Sequence, residues 1–301
     1  MKFLYQKKIV ITFILLLIPG SYFVYDDLKI KFICSKYGDK IFDNLLGFNS
    51  DCYERKIRGV IYPNEKIISP RYDTIKNKRK LNCPSNSPII IISGQSNSAN
   101  FIQSFKKYNN PHFNYFKGHC YELSSPTLGA EGEMSSLAPA VAQKIISKKK
   151  FIFITSGRGS IPINAAAEVN GDFITYNKNA LKDLEKKNNY LKYFIWIHGE
   201  ANNKKTDNYQ NKFRYIFDTI VRERKSKVKL IITQTSICNN QRDIHLNEIQ
   251  KKISQVYNSK IIIDTDELKN NYRYDGCHFN QFGLSEISTN ISNLINQIEN
   301  E

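Results

Sequence analysis

Short apolar runs alternating with longer amphipathic stretches set the pattern of the chain from Pro88 onward. Five such runs, at 89–92, 151–155, 193–197, 229–235 and 260–264, are continuous and rich in β-branched and aromatic residues. Runs of this length without polar alternation suit strands buried on both faces, which is the condition of a parallel sheet. Between them the apolar spacing lengthens to a helical period. Segment 206–224 sets Tyr209, Phe213, Ile216 and Ile220 on one face, and 134–148, 243–257 and 282–298 read the same way. Strand and helix alternating in this manner predict a three-layer α/β/α sandwich around a roughly five-stranded parallel sheet. Sites in such folds form beyond the carboxyl ends of the strands, so the residues just after each apolar run are where chemistry is expected.

Upstream of Pro88 the pattern differs. Residues 9–24 form a single apolar run behind Lys2, Lys7 and Lys8, and basic residues before such a run are the mark of an export signal. The run closes on Pro19-Gly20-Ser21-Tyr22 without a clear small-x-small cleavage site, which favours an uncleaved signal anchor over a cleaved peptide. The expected organisation is therefore a signal segment over 1–25, a membrane-proximal, Cys-containing segment over 26–87, and an α/β domain over 88–301. The expected location is the periplasmic or other extracytoplasmic face, with residues 9–24 in the membrane. Six cysteines, an even count, agree with an oxidising compartment and permit 15 pairings. Cys34 and Cys52 are close enough in sequence to form a local pair.

With 41% hydrophobic and 12% aromatic residues, the composition excludes a disordered chain, and a single long apolar run excludes a polytopic membrane protein. The net charge of +16 is carried largely by lysines scattered among Asn and Ile, with short runs at 76–80 and 148–150 that read as solvated faces. No aromatic-interleaved basic stripe or nucleic-acid motif occurs, so no nucleic-acid partner is expected. No Cys or His spacing suits a zinc site, and no metal is expected.

After the first run comes Ser93-Gly94-Gln95-Ser96-Asn97, where Gly94 permits a tight turn and Ser96 opens the following element. At such a position the serine's own N–H faces a developing oxyanion. After the last run comes Asp275-Gly276-Cys277-His278-Phe279-Asn280-Gln281-Phe282-Gly283. A serine needs a general base, and the base needs an orienting carboxylate. An Asp and a His three residues apart supply both. Cys277 reads as structural, paired with Cys238, and the lone Trp196 reads as core.

These blocks, with Trp196-Ile197-His198-Gly199-Glu200 after the third run, resemble the SGNH hydrolases, and more narrowly the sialate O-acetylesterase-like carbohydrate esterases. The resemblance covers residues 88–299 and leaves the first 87 untouched. It implies Ser96 as nucleophile, His278 as general base and acid, and Asp275 as the residue orienting His278. It also implies an oxyanion hole from the N–H groups of Ser96 and of a glycine in Gly157-Arg158-Gly159, Gly159 being preferred. His198 stands where the family has Gln and is a candidate third oxyanion donor. Gln95, Asn97, Gly157, Arg158 and Glu200 are candidate substrate-binding residues, with Arg158 suited to a sugar carboxylate and Glu200 to bracing the site. The implied reaction is hydrolysis of O-acetyl groups on a carbohydrate such as sialic acid or a polysaccharide, without metal or organic cofactor. The same triad also serves a membrane-anchored polysaccharide O-acetyltransferase, and a non-catalytic glycan-binding module is the remaining alternative.

Overall fold

In the computed structural model the residues described are 78–169, 171–221, 224, 227–239 and 241–301. The apolar run at 9–24 and the Cys34/Cys52 pair lie outside them. Among the described residues no helix is long and apolar enough to cross a membrane.

The five predicted runs form β2 (Pro88–Gly94), β5 (Ile152–Thr155), β6 (Tyr190–Ile197), β7 (Lys229–Gln234) and β8 (Lys260–Asp264), all parallel. Their order across the sheet is β5-β2-β6-β7-β8, so the crossover direction reverses next to β2. Among the described residues three further strands widen the sheet to eight. β3 (Phe113–Phe116) lies parallel to β5, and β4 (His119–Glu122) and the two-residue β1 (Lys80–Leu81) follow in antiparallel pairs. The sheet thus begins at Lys80, upstream of the expected boundary at Pro88. A disulfide from Cys83 to Cys120 of β4 fixes this entry.

Because strand side chains alternate between faces, the continuous apolar runs feed two cores. Ile89, Ile91, Ile154, Phe194 and Trp196 face one side, packed against α2 (Ile163–Ala166), α3 (Asp172–Glu185), α4 (Tyr209–Val221) and α5 (Ile244–Val256). Ile90, Ile92, Phe153, Ile195 and Ile197 face the other, beneath α1 (Leu137–Ala142) and α6 (Gln281–Asn300). Trp196 is core as expected, at 1% exposure, with its ring edge-on to Phe173.

The predicted helix over 134–148 shrinks to α1. Residues 134–135 instead bond to the chain at 100–102, and Asn296 of α6 takes the N–H of Ile146 and the carbonyl of Lys144, drawing the chain out of the helix. Helix α3, which was not predicted, buries Phe173, Ile174, Asn177, Leu181 and Leu184 along one stripe.

Candidate active site

β2 ends in Gly94 at φ +135°, where a Cβ would stand 2.0 Å from the carbonyl oxygen of Ile197. Only glycine lets the two central strands approach this closely. The Gln95 N–H then bonds that same carbonyl at 2.9 Å, and Ser96 opens a single 3₁₀ turn through Ser98. The turn packs against Gly157, whose missing Cβ leaves room for Ser98 and Ala99.

The N–H groups of Ser96 and Gly157 donate no hydrogen bond among the described residues. Gly159, the glycine preferred from sequence, donates its N–H to Glu131 Oε2 at 2.9 Å. Its amide is therefore committed elsewhere, and the glycine beside the serine turn is Gly157.

The Asp275 and His278 expected from sequence sit in the loop before α6. His278 Nδ1 lies 2.6 Å from Asp275 Oδ2, while Asp275 Oδ1 accepts the N–H groups of Cys277 at 2.9 Å and His278 at 2.7 Å. Burial pushes the Asp275 carboxyl up, but the hydrogen bonds from the His278 ring and from these two backbone amides outweigh it and hold it below the usual carboxylate range. Nδ1 therefore carries the ring proton toward Asp275, leaving Nε2 to accept.

Asn97 joins the two segments. Its Oδ1 accepts the Phe279 N–H at 3.0 Å and its Nδ2 donates to the Cys277 carbonyl at 3.1 Å. The neighbour of Ser96 thus grips the residues on either side of His278. Ser96 Oγ itself makes no hydrogen bond within the described residues. Phe101 and Tyr274 both stack on the imidazole, each with ring centroids 5.8 Å away, and the Tyr274 hydroxyl donates to the Phe101 carbonyl at 3.2 Å.

Two further ties hold the loop. The predicted Cys238–Cys277 disulfide is formed, linking the residue before His278 to the end of the β7 segment. Arg273, 4% exposed, donates to the carbonyls of Leu268 at 2.9 Å, Thr265 at 2.8 Å and Cys277, with its guanidinium 4.7 Å over the Phe279 ring. Sequence reasoning missed Arg273, Phe101 and Tyr274. The only signal was the adjacency of Tyr274 to Asp275 and of Phe101 to the serine block.

The third block braces rather than binds. Glu200 Oε1 accepts from Asn97 Nδ2 at 2.6 Å and from Thr235 Oγ1 at 3.1 Å. Gln95 Oε1 accepts the N–H groups of Gly199 and Ala201 at 3.0 and 3.1 Å. Gln95, Asn97 and Glu200 are all nearly fully buried, so these candidate substrate ligands are spent on holding the strand ends together. Arg158 is buried as well, with its guanidinium 3.8 Å from Asp172, away from the solvated position a loop arginine would take.

His198 is not an oxyanion donor in this arrangement. It is fully buried and stacked 5.0 Å from Trp196, with Nε2 3.0 Å from the Ile161 carbonyl and Nδ1 3.1 Å from the Tyr209 hydroxyl. A carbonyl only accepts, so Nε2 holds the proton and both nitrogens are engaged on the helical side of the strand end.

Burial lowers His198 to about 3, and burial together with Lys150 lowers His112 to about 4. Both imidazoles stay neutral in the folded protein where the unfolded chain binds protons near pH 6.5. The unfolded state therefore takes up protons first, and stability falls as pH drops below about 6.5. The slope approaches about 1.4 kcal/mol per pH unit per histidine below that pH, or roughly 3 kcal/mol for the pair between pH 6.5 and 5. Urea unfolding across that range is expected to show this loss, with His198→Gln removing about half of it. A pH-independent midpoint would contradict the buried neutral histidines.

Among the described residues no group of three His, Cys, Asp or Glu side chains is placed to hold a metal ion. No family model matches the sequence, and neither does any curated protein. Solved structures do resemble this one. A protein from Arabidopsis thaliana superposes with a TM-score of 0.58 at 13% identity, over 70% of this chain and 98% of that one. The acetylxylan esterase Axe2 from Geobacillus stearothermophilus gives a TM-score of 0.41 at 11% identity, over 70% of this chain and 94% of that one. The likeness to the Arabidopsis protein is one of fold: the two chains share an α/β architecture at an identity too low to carry anything finer.

Proposed function

We propose that the protein is a serine esterase that removes O-acetyl groups from a carbohydrate. The observation that carries the reading is the Asp275–His278 contact at 2.6 Å in a loop that Asn97 holds against the Ser96 turn. The sequence resemblance to carbohydrate esterases supplies the acyl group and the substrate class.

In the reaction, His278 Nε2 takes the Ser96 hydroxyl proton as Oγ attacks the acetyl carbonyl carbon. The resulting oxyanion accepts from the Ser96 and Gly157 N–H groups, which are rigidly set by the strand ends. Collapse breaks the bond to the sugar oxygen, which receives the proton from His278. Water, deprotonated by His278, then releases acetate and restores Ser96. Asp275 stays ionised throughout and stabilises the imidazolium. The Ser96–His278 hydrogen bond closes as substrate fills the site, as catalytic hydrogen bonds commonly do.

A fluorophosphonate probe tests the nucleophile directly. The full-length protein is expected to gain one phosphonyl adduct, on the peptide containing Ser96, and to lose acetate release from acetylated xylan and O-acetylated sialic acid in parallel. Labelling elsewhere, or none on folded protein, would overturn the assignment. Acetate appearing on an added glycan instead of in solution would identify the transferase.

A further inference from the structure

The fold sorts a charge that the sequence scatters. Loops entering the strands meet at the edge opposite the site, and three of them are lysine-rich. Lys148, Lys149 and Lys150 precede β5, Lys187 precedes β6, and Lys227 and Lys229 open β7. All six are exposed, and none forms an ion pair among the described residues. The carboxylates nearby are largely occupied: Asp183 by Lys186, Glu185 by Arg224, and Glu299 by Lys192. β5, β2, β6 and β7 are consecutive, so the row spans three strand spacings, roughly 15 Å.

Large apolar side chains are exposed on the segments that lead into this edge. Ile146 is 80% exposed just before the β5 loop, and Val256 is 59% exposed at the end of α5. Tyr190, at the start of β6, accepts from Lys149 Nζ at 3.3 Å and holds that ammonium 6.0 Å over its ring. β6 is eight residues long, which puts this edge roughly 25 Å from the Ser96 turn.

We propose that this edge docks on an anionic lipid surface, with the catalytic edge turned outward. Exposed lysines interleaved with aliphatic tips match a headgroup layer: the ammoniums meet phosphates while Ile146 and Val256 reach the acyl boundary. A soluble polyanion would use the lysines and leave the apolar tips unpartnered. The apolar run at 9–24 behind Lys2, Lys7 and Lys8, expected from sequence to be a signal anchor, agrees with a membrane nearby. Engagement of this edge leaves substrate access to Ser96 open.

The test reads the face rather than the binding, since residues 9–24 would bind any vesicle. Full-length protein carrying Ile146→Cys is labelled with an environment-sensitive fluorophore and reconstituted in phosphatidylcholine vesicles, with or without about one-third phosphatidylglycerol. The emission is expected to shift to the blue only with the anionic lipid. High salt, or reversal of Lys148, Lys149 and Lys150 to Glu, is expected to abolish the shift. A label at Phe282→Cys, on the catalytic side, is expected to stay unchanged. The charge-reversed protein is expected to keep its turnover of a soluble aryl acetate, which shows that it is folded. Equal emission in the two lipids, or a shift at both positions, would overturn the proposal. So would a shift with a soluble acidic polysaccharide but none with vesicles.

Discussion

Ser96→Ala is expected to lower acetate release by a factor on the order of 10⁴ to 10⁶ while leaving the unfolding midpoint nearly unchanged. The loss is large because the proposed mechanism has Ser96, His278 and Asp275 act as one unit, so removing the nucleophile forfeits the whole covalent route. What survives is the contribution of the backbone donors at Ser96 and Gly157, which alanine preserves. Stability is spared because Ser96 Oγ makes no hydrogen bond among the described residues, whereas the turn is held by the Gln95 and Ala99 amides and by Asn97. Steady-state kinetics on an aryl acetate beside a urea melt measure both. A rate within tenfold of the unsubstituted protein would remove Ser96 from the proposed mechanism.

Asp275→Asn is the second large effect, with an expected drop of roughly 10⁴. The substitution is nearly isosteric, and the amide oxygen can still accept the Cys277 and His278 N–H groups that Asp275 Oδ1 now receives. The loop should therefore keep its shape. The amide nitrogen, however, would face His278 Nδ1 as a donor and force that nitrogen to accept. The ring proton would then sit on Nε2, where it blocks uptake of the Ser96 proton. Fluorophosphonate labelling of Ser96 should slow in parallel with turnover. A drop of less than tenfold would reduce Asp275 to a cap of its own loop.

The central strands were legible because Ile-rich runs at 89–92 and 260–264 have few alternatives to a doubly buried strand. β3 and β4 were not, since Phe113–Phe116 and His119–Glu122 are short, mixed in polarity and joined by a tight Lys117-Gly118 turn. Ser96, Asp275 and His278 could be picked out because each stands in a local motif. The sequence preference for Gly159 over Gly157 fails because an acid 28 residues upstream, Glu131, takes the Gly159 amide. His198 misled for a similar reason. Its ring direction is set by Ile161 and Tyr209, and neither is a neighbour in sequence. Arg273 carries no motif, and its role follows from burial among three carbonyls that meet only in the folded chain.

The hairpin side of the sheet has a consequence for self-association. An open edge strand is a template on which another chain can add by backbone pairing. Among the described residues the outermost strand is two residues long, begins with a lysine and is stapled to its neighbour through Cys83 and Cys120. Closing that 37-residue loop restricts the unfolded chain by about 4 kcal/mol in the chain-entropy model. A stub this short offers an incoming strand too few ladder groups to hold it, and the disulfide prevents it from peeling away to expose β4. Loss of the Cys83–Cys120 bridge would bare a longer edge, and growth of sheet-to-sheet aggregates would be the first symptom.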